Sequence, residues 1–267
     1  HRDEWKAIEE QIKVSTPCQV GRVLGVHFGF KDGLTPNLKH VTMDMDNYAD
    51  QAIDMYHKVP NAPPLRGNVH YPWYEPTQEE IDFSIDKPQK TVFGHCAASL
   101  LMKLLYAARM VRLDICYAIN SLSRYVTKWN SVCDKQLSHL FAYFNLSKSW
   151  KLNATIDKNE SETVELHAYP DADLAGTYDS TRATSGGFIH LNGPNNTFCQ
   201  LDWFSKRQTA TAHSTTEAEL ISASKMLRDS LVPLMGLWSV MLDRDIRGKL
   251  FEDNMSTIEI IKVGFFR

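Results

Sequence analysis

The spacing of apolar positions changes twice along this chain. Residues 4–13 (EWKAIEEQIK) set Trp5, Ile8 and Ile12 at helical intervals. Residues 20–30 (VGRVLGVHFGF) alternate and are punctuated by glycine, which predicts a strand. Lys31-Asp32-Gly33 is a turn signal, and 38–45 (LKHVTMDM) reads as the returning strand of a hairpin. A helix is expected from Asp46, with Tyr48, Ile53 and Tyr56 as candidate buried positions. Residues 60–90 hold Pro60, Pro63, Pro64, Pro72, Pro76 and Pro88 with little periodicity, and read as a long irregular linker.

From 93 to 150 the spacing is helical. GHCAASLLMKLLYAARMV, LDICYAINSLSRYVTKW and KQLSHLFAYFNLSKSW predict three amphipathic helices in one layer. The polar residues 155–160 (TIDKNE) read as a boundary. Alternation then returns. VELHAYPD, SGGFIHLN and FCQLDWFSK predict three strands, the last two separated by a turn at GlyProAsnAsn 193–196. Ser214 opens a helix with a capping box in which Glu217 is the third helical residue. A helix over 230–243, a short strand KLFED and a final helix NMSTIEIIKV follow. The order βββ-α-α-β-α predicts an α/β fold, a mixed sheet with helices on its faces, and the strands VELHAYPD and KLFED as parallel neighbours.

The chain has 267 residues and is 43% hydrophobic, enough for one large domain or two smaller ones. No apolar run reaches membrane-spanning length, so no membrane partner is expected. The opening His-Arg-Asp-Glu, without Met, reads as the start of a piece of a longer protein. Cys18, Cys96, Cys116, Cys133 and Cys199 show no metal-ligand spacing, which suggests reduced thiols and no zinc. The net charge of −3 speaks against a nucleic-acid partner, but its distribution changes that picture. Residues 91–160 carry 9 Lys+Arg against 4 Asp+Glu, whereas each flank carries 10 against 14. A basic middle of this kind either tracks a phosphate backbone or is a solvated helical face.

Three acidic residues sit at the ends of predicted elements: Asp171, Glu219 and Asp253. Carboxylates brought together this way bind hard divalent cations, and two such ions cut phosphodiesters. Each has a rival. Asp173, two residues on, would share the face of Asp171 if the strand continued. Glu217 lies on a different helix direction from Glu219 and has a capping role, which favours Glu219 for a site. Asp253 precedes a helix and reads locally as its N-cap.

DADLAG, STRATSGGF, DWFSKRQTATAHSTTEAEL and EDNMSTIEI, in this order and at about this spacing, resemble the ribonuclease H domain of copia-type LTR-retrotransposon reverse transcriptases. Upstream, FGHCAASLLMKLLYAARMVRLDICYAINSLSRYV looks like the thumb segment of that family, and VGRVLGVHF like the palm strand leading into the primer grip. Leu174 and Leu113 depart from it, standing where the family usually has Trp and Pro. The polymerase aspartates would lie before His1. A fourth ribonuclease H carboxylate, with a last strand and helix, would lie beyond Arg267, leaving Phe265 and Phe266 uncovered.

The resemblance implies a ribonuclease-H-like domain over 157–267, C-terminally incomplete. Before it come the end of a palm with a primer-grip-like hairpin (1–45) and a helical thumb-like subdomain (46–156) that includes the linker 60–90. It selects Asp171, Glu219 and Asp253 as catalytic and metal-ligating residues for two Mg²⁺ ions, with Mn²⁺ as a substitute. The implied reaction is endonucleolytic hydrolysis of RNA in an RNA–DNA hybrid, one ion activating water and the other stabilising the leaving 3′ oxygen. Thr215 and Thr216 would face the hybrid's minor groove, or simply cap their helix. Lys206, Arg207 and Gln208 would reach the backbone, and Lys103, Arg109, Arg112 and Lys128 would track a hybrid or primer–template duplex. The implied partners are that nucleic acid and the rest of the retroelement polyprotein, in cytoplasmic retroelement particles or the nucleus. The alternative is a non-catalytic nucleic-acid-binding or structural remnant. With only three carboxylates, the chain is expected to bind hybrid better than it cuts it.

Overall fold

The computed structural model describes residues 21–86, 90–174 and 182–264. The helix expected over 4–13, and Phe265 and Phe266, lie outside them. The described strands are β1 (Arg22–Val23), β2 (Val26–Asp32), β3 (Leu38–Asp44), β4 (Leu152–Asp157), β5 (Glu165–Asp173), β6 (Thr184–Asn192), β7 (Phe198–Arg207) and β8 (Gly248–Leu250). They form one mixed sheet in the order β1-β2-β3-β4-β7-β6-β5-β8. The described helices are α1 (Asp46–His57), α2 (Gln78–Asp86), α3 (Ala97–Met110), α4 (Cys116–Ser123), α5 (Ser131–Leu146), α6 (Thr215–Met226), α7 (Val232–Leu242) and α8 (Met255–Val263).

Three local expectations are corrected. The strand expected over 20–30 is broken at Leu24-Gly25, both at positive φ, so β1 folds back on β2. Gly25 supplies the left-handed conformation that a tight turn needs. The proline-rich stretch 60–90 is not wholly irregular. Thr77 Oγ1 accepts from the Glu80 N–H, and Glu80 Oε2 accepts from the Thr77 N–H at 3.1 Å. This reciprocal box starts α2, and the prolines on either side masked its signal. Finally, the polar stretch 155–160 begins inside a strand, since β4 runs to Asp157 and a short 3-10 turn covers Lys158–Glu160. Leu152 and Ala154 are buried on alternate positions, and β4 pairs antiparallel with β3. Through one bridge, Thr155 to Phe198, β4 joins the β1–β3 ribbon to the β7 side of the sheet.

Among the described residues two large apolar cores result, with a small third cluster of Ala183, Ala212 and Ala218. In the first, Leu100, Leu101, Leu104 and Ala108 of α3 recur at helical spacing and pack with Ile119 and Leu122 of α4 and Leu137, Leu140, Phe141 and Phe144 of α5. Of the expected buried positions in α1, Ile53 and Tyr56 are buried and Tyr48 is half-buried. This helical layer is fastened to the sheet by polar contacts: Trp203 Nε1 donates to the Ala108 carbonyl at 2.7 Å, and the Asn120 amide donates to the Ser205 carbonyl.

The second core lies between the sheet and α6–α7. Leu166 and Ala168 of β5 and Ile189 and Leu191 of β6 meet Met226 and Leu231. A Cβ at Gly187 would overlap the Met226 side chain and the Phe204 ring, so only glycine permits this approach. α6 runs into α7 through a π-turn at Leu227–Leu231. β8 lies parallel beside β5, with Leu166 opposite Gly248 and Ala168 opposite Leu250, as expected from the sequence.

Candidate metal centre

β5 alternates its side chains, so Leu166 and Ala168 enter the second core while His167, Tyr169 and Asp171 emerge on the other face. The strand continues two residues past Asp171, to Asp173. The Asp171 side chain is exposed.

Glu219 comes from the second turn of α6. Ser214 caps this helix, its hydroxyl accepting from the Glu217 N–H at 3.1 Å, and the Glu217 carboxylate accepts from the His213 N–H at 2.7 Å. Glu217 therefore serves the helix start. Glu219 points inward, beside Ala218 and Ser222, and is only 7% exposed.

Asp253 follows β8. The Phe251 N–H donates to the Ala168 carbonyl at 2.8 Å, which extends the parallel pairing to the point where the chain leaves the sheet. The N-cap of α8 is Asn254, whose side chain accepts from the Thr257 N–H at 3.0 Å. The capping role weighed for Asp253 is thus taken by its neighbour.

One carboxylate oxygen each from Asp171, Glu219 and Asp253 lie within 4.8 Å of one another. A divalent cation with ligand distances of about 2.0–2.6 Å fits oxygens so spaced. Glu219 Oε2 is shielded from solvent and has no hydrogen-bond partner. Burial, and then the charges of Glu252, Asp171 and Asp253, push the Glu219 carboxyl up to about 7. A buried oxygen without a donor, facing further carboxylates, is an unfavourable arrangement that a hard cation relieves. The donor set therefore fits Mg²⁺ or Mn²⁺.

Two residues of this site escaped the sequence reading. Glu252 is half-buried beside Asp253, its carboxyl raised by burial and by the charges of Asp253 and Asp171. Ser222 is fully buried, and its hydroxyl lies 2.8 Å from the Asp171 carbonyl oxygen. The only sequence signal for Glu252 is its adjacency to Asp253. Ser222 has the spacing of the buried face of α6, where a hydroxyl among apolar positions was the clue.

The expected nucleic-acid contacts divide. Thr215 and Lys206 are exposed, and Thr216 and Arg207 are half-buried. Arg109 and Lys128 are exposed, the Lys128 ammonium lying over the Tyr125 ring. Lys103 is half-buried over the Tyr48 ring and donates to Gln51 Oε1 at 3.2 Å. Two residues are corrected. Gln208 is buried, its amide donating to Ser185 Oγ and to the Ala218 carbonyl, so it ties β7 to α6 instead of reaching outward. Arg112 is 4% exposed and holds both Asp114 oxygens, the Ser147 carbonyl and the Ser147 hydroxyl. A guanidinium so engaged fastens the end of α5 and is not available to a phosphate.

A mixed α/β sheet with three convergent carboxylates thus defines the class of site. No family model matches the chain. It is 32% identical over 113 residues to the retrovirus-related Pol polyprotein from transposon RE1 of Arabidopsis thaliana, across 42% of this chain and 7% of that polyprotein. It is 27% identical over 128 residues to the retrovirus-related Pol polyprotein from transposon TNT 1-94 of Nicotiana tabacum, across 48% of this chain and 9% of that one. A third similarity, 29% over 128 residues, is to secreted RxLR effector protein 161 of Plasmopara viticola, spanning 84% of that protein. The chain is therefore related to retrotransposon Pol polyproteins, of which it matches less than a tenth of the length.

Proposed function

We propose that this chain carries a ribonuclease H-type centre from a retroelement polyprotein, one that hydrolyses the RNA strand of an RNA–DNA hybrid. The observation that supports this most directly is the convergence of Asp171, Glu219 and Asp253, with the buried Glu219 Oε2 left without a donor. Two divalent cations bound there would supply an activated water and neutralise charge at the leaving oxygen.

The chain's own residues hold and orient. Asp171, on β5, and Asp253, just past the end of the parallel strand β8, present exposed carboxylates, and the pairing of the two strands brings their ends together. Glu219 reaches the same point from α6 and closes the buried side. Thr215 and Thr216, in the first turn of that helix, offer hydroxyls and helix-terminal amides to a phosphate or a 2′-OH. Lys206, at the end of β7, and Lys103, Arg109 and Lys128, on the helical layer, attract the nucleic-acid backbone without reading bases.

The test is incubation of a labelled RNA–DNA hybrid with the chain in Mg²⁺, beside DNA duplex and an EDTA control. Metal-dependent cleavage of the RNA strand alone is expected, and its loss in D171N. Cleavage that persists in EDTA or in D171N would overturn the reading.

A second reading is a non-catalytic nucleic-acid-binding module. The similarity spanning 84% of a protein described as a secreted effector favours it, because related sequence there stands apart from a polyprotein. Hybrid binding without cleavage at saturating Mg²⁺ would decide for this second reading.

A further inference from the structure

Glu252 stands where the chain leaves β8, next to Asp253. Its Oε1 accepts from the Asn254 N–H at 3.2 Å, which folds the side chain back toward the turn before α8. Its Oε2 is shielded from solvent and has no hydrogen-bond partner. Glu219 Oε2 shares both properties, and Glu219 is itself more than nine-tenths buried. Among the charges around Glu219, that of Glu252 acts most strongly. The groups acting on Glu252 are two carboxylates and one backbone amide, with no basic side chain among them.

Two neighbouring carboxylates, each with a buried oxygen lacking a donor, are unfavourable unless something positive lies between them. Nothing in the turn itself requires a second acid. The backbone contact to Asn254 uses only Oε1, and a glutamine would make it equally well. Glu252 also stands outside the group whose oxygens all lie within 4.8 Å, so the cation held by Asp171, Glu219 and Asp253 does not account for it.

We propose that Glu252 is a further metal-ligating residue, sharing a second divalent cation with Glu219. This rests on the metal-binding reading above. Ion pairs in two-metal sites stand about 3.5–4 Å apart, which suits a ligand displaced from the first cluster.

The test uses Mn²⁺ alone, titrated into the chain by calorimetry and followed by electron paramagnetic resonance, for wild type, E252Q and D173N. Wild type is expected to bind two ions. E252Q should keep one and weaken the other by at least ~10-fold. D173N, which is exposed and outside the cluster, should titrate like wild type. Melting in EDTA establishes that each variant is folded. If E252Q does not fold, E252D, which withdraws the carboxylate by one methylene, gives the same comparison. Wild-type binding that E252Q leaves unchanged overturns the role of Glu252 and leaves the three-carboxylate centre standing. A wild type that binds no Mn²⁺ at millimolar concentration overturns both.

Discussion

The Ser222 hydroxyl donates to the Asp171 carbonyl oxygen at 2.8 Å, across the contact between α6 and β5. It also lies 3.1 Å from the carbonyl of Gly186, the residue paired with Asp171 on β6. Ser222 is fully buried and sits one helical turn beyond Glu219. One hydroxyl therefore fixes the turn that carries Glu219 against the strand that carries Asp171. Ser222→Ala should cost about 1–2 kcal/mol in urea unfolding, the usual penalty for a lost buried donor. Mn²⁺ affinity should fall with it, although Ser222 is no ligand. Unchanged affinity in a folded S222A protein would show that the two elements hold their spacing without it.

The carboxylates should separate cleanly by role. D171N, E219Q and D253N should each abolish hybrid cleavage, because each removes a negative ligand from a hard cation. D173N and E217Q should be mild. Gln at 217 still accepts from the His213 N–H, so its cost should stay below about 1 kcal/mol. A lethal E217Q beside a tolerated E219Q, in the same cleavage assay, would reverse the assignment on α6.

Charge on the helical layer should tune binding, but through fewer residues than the sequence suggested. Reversing Lys103, Arg109 and Lys128 together should weaken hybrid binding and flatten its dependence on salt, measured by fluorescence anisotropy between low and physiological ionic strength. Arg112→Ala should act on stability instead. It leaves Asp114 and the end of α5 without their buried guanidinium, at a cost on the order of 3 kcal/mol. An unchanged salt slope in the triple variant would assign those three side chains to an ordinary solvated face.

Glu160 should make the fold sensitive to acid. It is 4% exposed and accepts from the backbone N–H groups of Asn195, Asn196 and Thr197, at 2.8, 3.1 and 2.7 Å. Burial pushes its carboxyl up, but these donors and the Thr197 hydroxyl outweigh that and hold it at about 2. A carboxyl depressed in the folded state stabilises fully above its unfolded value of 4.5, and the contribution disappears as pH falls toward 2. E160Q should therefore be less stable than wild type by roughly 2–3 kcal/mol at pH 7. The gap should close between pH 4.5 and 2 in denaturant titrations. A gap independent of pH would assign the loss to shape, since the carboxylate fits only because position 193 is glycine.

Much of this protein was legible from its sequence because it depends on local periodicity and short motifs. The alternation in VELHAYPD, the helical spacing of Leu100, Leu101 and Leu104, and the Ser214–Glu217 cap each need only neighbours a few residues away. The capping box also separated Glu217 from Glu219, since one helix cannot aim both carboxylates at one point. The candidate triad was legible only with the family resemblance, which chose Asp171 over Asp173 and set Asp253 apart from its local reading as a cap; parallel pairing of β5 and β8 is what can bring their carboxyl ends to one edge of the sheet.

Only the tertiary structure decided what burial and distant pairing control. Arg112, Gln208 and Lys103 look alike as polar residues in a sequence, yet packing buries the first two and leaves the third half-open. The pairing of β4 with β3, more than a hundred residues apart, turns an apparent boundary into part of the sheet. Glu252 became visible the same way. Its place beside Asp253 is a fact of sequence, but its buried, donorless oxygen near Glu219 exists only once β8 has aligned with β5 under α6. Local spacing specifies which face a residue takes, whereas solvent exclusion and the company a charge keeps depend on segments far along the chain.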